Sequence, residues 1–189
     1  GGTVYGNQEI QPITEDALPR PINHYGNVKL CIENTIRTFN YQAHTKILIA
    51  RISNPYGPGQ DFNKGVGFID AAIKKTIRSE KIEIWGDGNN VRDYIYIDDV
   101  CRMLISLFYY QEDYDTFNIS SNTGTSQRDV IRMLEAMQLA PQVEYLPARS
   151  VDAKKIILNN ERIMSIHAVP LVPVEQGIRK YYQWLKKEI

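Results

Sequence analysis

Tyr25 and Lys29 stand four residues apart in a stretch where Val28, Cys31, Ile32, Ile36 and Phe39 recur at helical spacing. A helix over 25–41 therefore presents a phenol and an ammonium on one face. That pair suits proton abstraction. A free tyrosine ionises near pH 10 and is roughly a thousandfold under-ionised at neutrality. A cation beside it favours the phenolate, and about 4 kcal/mol of differential interaction closes a gap of about 3 pH units. A phenolate so held takes a proton from an alcohol while hydride leaves the same carbon. Spacing alone is a weak signal. With 12 tyrosines and 11 lysines in 189 residues, chance gives about 0.7 such pairs. Tyr182 and Lys186 repeat the spacing and read as an ordinary amphipathic surface.

Other side chains suit a phosphorylated ligand. Asn54 sits just past a predicted strand end, where open α/β sheets place ligands. Its amide suits a phosphate or sugar oxygen, and an Asn before Pro also suits a turn. Arg92 and Arg149 carry planar, multi-donor groups that match a diphosphate, or serve as surface or ion-paired arginines. Asp152 suits ribose hydroxyls, a cap or an ion pair. Tyr94 lines such a pocket or packs as a strand aromatic.

The elements that must position these groups follow in order. Residues 7–23, rich in Pro, Asn, Gln and acids, read as a loop before the Tyr25 helix. Residues 46–52 form an apolar run fit for a buried parallel strand, which Asn54-Pro55-Tyr56-Gly57-Pro58-Gly59 breaks. A helix over 65–78 precedes strands at 82–85 and 94–97, separated by a turn at 86–90. Asp98 or Asp99 caps a helix over 100–110. A strand at 117–120, a helix at 129–137 after Ser126, a strand at 143–146 and an extended segment at 156–158 follow. The last helix starts near Pro173, a first-turn position, and runs to about 187. Strands alternate with helices, so the fold class is α/β.

Composition narrows the function. The 22 basic and 22 acidic residues balance, which argues against a nucleic-acid partner needing a basic face. No apolar run approaches the roughly 18 residues that span a bilayer, so no membrane partner is expected. Cys31 and Cys101 sit in apolar-flanked helical segments and read as buried free thiols in a reducing cytoplasm. His24, His44 and His167 lack metal-ligand spacing, so no metal is expected.

Four motifs occur in a fixed order: Thr3-Val4-Tyr5-Gly6 about twenty residues before Tyr25, Arg51-Ile52-Ser53-Asn54-Pro55-Tyr56-Gly57-Pro58-Gly59, Trp85-Gly86-Asp87-Gly88-Asn89-Asn90-Val91-Arg92-Asp93-Tyr94-Ile95, and Arg149-Ser150-Val151-Asp152. Together they resemble the NAD-dependent nucleotide-sugar epimerase/dehydratase family of extended short-chain dehydrogenases/reductases. The motif set is most similar to its UDP-glucose 4-epimerase branch. The resemblance implies NAD as cofactor and a nucleotide-sugar substrate such as UDP-glucose or UDP-galactose. It implies Tyr25 as base with Lys29 beside it, and Tyr25, Lys29 and Asn54 as cofactor contacts. It implies substrate contacts at Asn54, Arg92, Tyr94, Arg149 and Asp152, and at Ile156 beside the sugar ring, where periodicity alone reads a core position. A cytoplasmic enzyme, homodimeric when intact, is expected. Residues 1–60 are expected to end a Rossmann-like parallel-sheet domain. Residues 61–189 are expected to form mainly a smaller α/β nucleotide-sugar-binding domain, with segments returning to the first.

The chain also departs from that pattern. The family's Gly-rich dinucleotide loop is missing. Gly57/Gly59 is followed by Phe62 at the third glycine position, and Pro58 lacks an amide donor. The N-terminal cofactor half is therefore expected to be absent, leaving the chain inactive alone. The family's catalytic Ser/Thr position holds Gly1, so the hydroxyl comes from Thr3 or from an upstream serine. A 4,6-dehydratase would need an acid/base pair where Gly2 and Thr3 stand. Other reductase or decarboxylating relatives, and a non-catalytic sugar-nucleotide-binding protein, remain alternatives.

Overall fold

The computed structural model describes residues 1–60, 67–148 and 154–188. A short 3₁₀ turn over Gly2–Val4 opens the chain, followed by a loop and helix α1, His24–Ala43. Asn23 caps α1 by accepting from the Gly26 N–H at 2.8 Å. The expected helix is present, but it does not dock through its apolar stripe. Val28, Ile32 and Phe39 are exposed, and only Gly26 and Glu33 of α1 are buried.

Strand β1, Ile49–Ile52, pairs in parallel with β5, Thr116–Ile119. Strand β2, Asn54–Tyr56, pairs in parallel with β4, Val91–Tyr96. The segment expected to break the first strand thus forms a second strand. A single residue, Ser53, lets the chain leave one sheet and enter another. Strand β3, Lys81–Trp85, pairs in parallel with β7, Gln142–Leu146, and not with β4. Strand β4 also takes β6, Gly124–Ser126, in antiparallel register and β8, Lys155–Ile156, in parallel.

Helix α2 spans Phe68–Ile77, α3 Ile97–Phe108, α4 Gln127–Ala136, α5 Glu161–Met164 and α6 Val174–Glu188. Ser126 and Asp129 close a reciprocal capping box on α4, satisfying two otherwise orphaned backbone donors. Neither Asp98 nor Asp99 caps α3, whose cap is Tyr96 with no side-chain hydrogen bond. Asp99 lies within the first turn, buried, where it accepts from the Val172 N–H at 2.9 Å and pairs with Arg102. The aspartate is spent on tertiary contacts rather than on the helix end.

Apolar side chains gather in two main clusters. One joins α2, α4 and α6 to β2, β3 and β4. The other joins α3 and α5 to β1 and β5. Neither cysteine belongs to them. Both Cys31 and Cys101 are exposed, contrary to the expectation of burial. On α3 the inward positions are Val100, Met103 and Leu107, and Cys101 faces away from that stripe. No described helix is long and apolar enough to cross a membrane.

Candidate active site

Two cavities meet beside β2 and β4. The larger, of about 620 Å³, is bounded by Thr3, Tyr25, Asn54, Arg92, Ile97 and Ile156 among others. The smaller, of about 230 Å³, is walled by Phe68, Trp85 and Tyr94 and carries the amides of Asn90 and Gln127. Asn54, Tyr56, Gln60 and Arg92 border both. The border that the two spaces share thus carries a carboxamide and a guanidinium.

Tyr25 reaches the larger cavity from the first turn of α1, with 60% of its surface exposed. Gly26 sets that approach. A Cβ at Gly26 would lie 2.5 Å from the Thr3 carbonyl oxygen, so the helix rests directly on the 3₁₀ turn. Thr3 is thereby brought to the same cavity, and its Oγ1 is buried with no hydrogen-bond partner among the described residues. An unmet buried hydroxyl is costly and invites a ligand group. Gly1 has no side chain to supply a hydroxyl, and a Cβ placed there would stand 1.8 Å from the Ile52 carbonyl oxygen. Lys29 is half-buried, with Nζ 5.3 Å from the Tyr25 ring centroid. It is not among the residues that border the cavity. Tyr182 and Lys186 have almost the same geometry, at 5.7 Å, but border neither cavity. Surroundings, not spacing, separate the two pairs.

A buried polar frame holds this end of the site. The Arg51 guanidinium donates to both Glu33 carboxylate oxygens and, through Nη1, to the Tyr5 hydroxyl at 2.7 Å. Tyr5 in turn donates to Asn118 Oδ1 at 2.7 Å. Burial lowers the pKa of Arg51, but the bonds with Glu33 and Tyr5 outweigh it, so its net pKa is raised. The guanidinium stays charged. The frame ties α1 to β1, β5 and the segment that carries Thr3.

The junction of the two cavities is organised by Asp93, which is fully buried on β4. Its carboxylate accepts from Ser53 Oγ, the Ser121 N–H and Oγ, the Asn122 N–H and the Leu158 N–H at 2.8–3.2 Å. Burial pushes its pKa up to about 6 despite those bonds. The Asp93 carbonyl accepts from the Asn54 side-chain amide at 3.0 Å. One N–H of Asn54, expected to be available to a ligand, is thus committed to fixing the side chain. Arg92 flanks Asp93, borders both cavities, and donates from Nη1 to the Val91 carbonyl at 2.9 Å. Tyr94 is buried, with its pKa pushed up to about 12 by burial, so it stays a neutral wall. Ile156 borders the larger cavity and also packs against the small cluster of Val4, Tyr5, Ile13 and Leu158. Both readings of its position have a basis.

The fold therefore gathers Thr3, Tyr25, Asn54, Arg92, Tyr94 and Ile156 around two joined cavities, with Lys29 beside Tyr25. Arg149 and Asp152 lie outside the described residues. Gln127, which borders the smaller cavity, was not among the expected site residues. Its only sequence cue was its place just after the Ser126 cap.

Residues 1–120 match the model of the NAD dependent epimerase/dehydratase family. The chain is 31% identical over 182 residues to a dTDP-4-dehydro-6-deoxyglucose reductase of Escherichia coli, covering 95% of this chain and 57% of that protein. It superimposes with a TM-score of 0.92 on a UDP-glucose 4-epimerase from Thermotoga maritima, solved with UDP-glucose, at 30% identity. That match covers 100% of this chain and 62% of the other. A UDP-glucuronic acid 4-epimerase from Bacillus cereus, solved with UDP-glucuronic acid and NAD, gives 0.89 at 26% identity, over 99% and 60%. The chain spans 48–61% of the length of the first curated relatives it matches.

Proposed function

From the premise that this chain belongs to the NAD dependent epimerase/dehydratase family, as the match over residues 1–120 shows, we propose that it supplies the catalytic and sugar-nucleotide half of an NAD-dependent UDP-hexose 4-epimerase. The observation that carries this is the pair of joined cavities. Tyr25 and Thr3 stand at one end, Asn54 and Arg92 at the junction, and flat aromatic walls at the other end. A nucleotide sugar has the same order: reacting hydroxyl, diphosphate, base.

In this reading the Thr3 hydroxyl accepts or donates a hydrogen bond at the reacting sugar oxygen. Tyr25 takes the proton from that oxygen as the C–O bond becomes a carbonyl, and returns it in the reverse step. Lys29 holds the Tyr25 ring from one turn along α1. The Arg92 guanidinium grips the diphosphate, and Arg149 and Asp152 complete the hold on phosphate and ribose. Ile156 bounds the sugar.

The described residues fit the nicotinamide end of NAD. A phenol, an ammonium and the Asn54 carboxamide lie at or beside one cavity, together with the Thr3 hydroxyl, which has no partner among the described residues. Tyr25, Lys29 and Asn54 would hold it there. When bound, NAD supplies the acceptor and donor of hydride at the sugar carbon. The Gly-rich loop that would seat its pyrophosphate is missing from this sequence, so turnover belongs to the intact enzyme.

We assign residues 1–60 to the end of the cofactor domain and residues 61–189 mainly to the sugar-nucleotide domain, with α3 and β5 returning to the first. The cluster that packs α3 and β5 against β1 supports that return. The exposed Val28, Ile32 and Phe39 stripe of α1 offers apolar surface for a homodimer of the intact, cytoplasmic enzyme. A second reading, reduction of a 4-keto nucleotide sugar, is favoured by the 31% identical reductase. Incubating the intact enzyme with NAD and UDP-glucose separates them. The 4-epimerase forms UDP-galactose without net consumption of NAD, and a reductase forms none.

A further inference from the structure

We propose that the Gln127 carboxamide reads the imide edge of a uracil- or thymine-type base in the smaller cavity. This rests on the nucleotide-sugar reading above and extends it to a residue that selects the ligand. Gln127 borders the smaller cavity together with Phe68, Trp85 and Tyr94. Its Oε1 is buried and, among the described residues, meets no hydrogen-bond donor. A buried acceptor left unmet is unfavourable, and a donor brought by a ligand relieves it.

The walls specify the kind of donor. Aromatic faces suit a flat ring, and a space of about 230 Å³ lies below the roughly 300–1,000 Å³ of drug-sized sites, which favours one ring over two. A pyrimidine imide places an N–H between two carbonyl oxygens. The N3–H can donate to Gln127 Oε1 while the Gln127 amide donates to a neighbouring carbonyl, a two-point contact that a carboxamide provides from a single side chain. The backbone beneath Gln127 is well held. It is the first residue of α4, directly after the Ser126–Asp129 capping box, and the Arg128 N–H donates to the Gly88 carbonyl at 3.2 Å.

The test is a two-by-two titration of this chain with UDP and with N3-methyluridine 5′-diphosphate, which lacks the imide N–H. Wild type and Gln127→Leu are compared by calorimetry at pH 7.5. Wild type should bind UDP at least tenfold more tightly than the methylated ligand. Gln127→Leu should bind both within about threefold of each other, because its loss and the methyl group remove the same contact. Should Gln127→Leu fold poorly, the wild-type comparison still decides, since equal binding of both ligands overturns the inference. Preference for UDP that persists in Gln127→Leu also overturns it, and assigns the base edge to another group. If wild type binds neither UDP nor the methylated ligand, the nucleotide-sugar reading itself fails.

Discussion

The Arg51 guanidinium and the Glu33 carboxylate meet edge to edge in the interior, with Nε to Oε1 at 3.0 Å and Nη2 to Oε2 at 2.7 Å. Arg51 is 2% exposed. This pair docks the helix that carries Tyr25 and Lys29, whose apolar stripe is turned to solvent. Removing Arg51 leaves the buried Glu33 carboxylate to the half-exposed Arg37 at 3.4 Å, at a cost of up to about 3–5 kcal/mol, whereas replacing both Arg51 and Glu33 by apolar residues costs much less. Arg51→Met should therefore lower unfolding free energy more than Arg51→Met combined with Glu33→Leu. Urea denaturation of both variants checks this, and equal losses would show that the pair does not anchor α1.

Asp93 makes stability respond to acid in an unusual direction. Its folded pKa, about 6, lies above the ordinary 3.8. The folded state thus binds the proton more readily than the unfolded chain. Ionised Asp93 therefore opposes folding at neutral pH, and that penalty is relieved as pH falls through about 6 toward 3.8. Between pH 7 and 4.5 the wild type should gain about 2 kcal/mol relative to Asp93→Asn. Urea titrations of both proteins at the two pH values measure the difference. No relative gain would mean that the carboxylate is ionised with little strain.

Tyr25 and Tyr182 offer a matched comparison, since each has a lysine four residues on and within 6 Å of its ring. In the intact enzyme, Tyr25→Phe should reduce turnover at least about a hundredfold with sugar-nucleotide binding nearly unchanged. Tyr182→Phe should leave turnover alone. Steady-state kinetics with UDP-glucose resolves the two, and similar losses would remove Tyr25 from its assigned role.

Much of this arrangement is legible in the sequence, where local pattern and tertiary use coincide. Helical spacing locates α1, and the Ser126 cap locates α4. The strand expected at 94–97 is present as β4, Val91–Tyr96, which begins three residues earlier and so carries Arg92. The failures come where a side chain serves a distant partner. Asp99 looks like a cap, but it is recruited by Val172 and Arg102. Asn54-Pro55-Tyr56 looks like a turn, yet it pairs with Tyr94-Ile95-Tyr96. The stripe of α1 suggests which face packs, and the helix instead docks through Gly26 and Glu33, two residues that no hydrophobic periodicity marks. Gln127 joins the cavity because the start of α4 borders the same space as Trp85 of β3 and Tyr94 of β4, which no local pattern encodes.

Ile156 borders the larger cavity beside Tyr25 and Thr3. If it bounds the sugar, Ile156→Ser should shift the intact enzyme's kcat/KM ratio toward UDP-N-acetylglucosamine over UDP-glucose, because added room benefits only the bulkier substrate. Its packing against Val4 and Leu158 predicts some loss of stability as well. Competition assays with the two substrates read the ratio. A loss of stability with an unchanged ratio would assign Ile156 to the core alone.

We propose that the two joined cavities form one nucleotide-sugar site, with Arg92 at the junction. Titrating UDP-glucose into this chain tests it most directly, with Arg92→Ala as the comparison. Saturable one-to-one binding is expected, at least tenfold weaker in Arg92→Ala, consistent with loss of a charge-assisted grip on phosphate. Binding of UDP-glucose that is unaffected by Arg92→Ala, or no binding at millimolar ligand, would contradict the account.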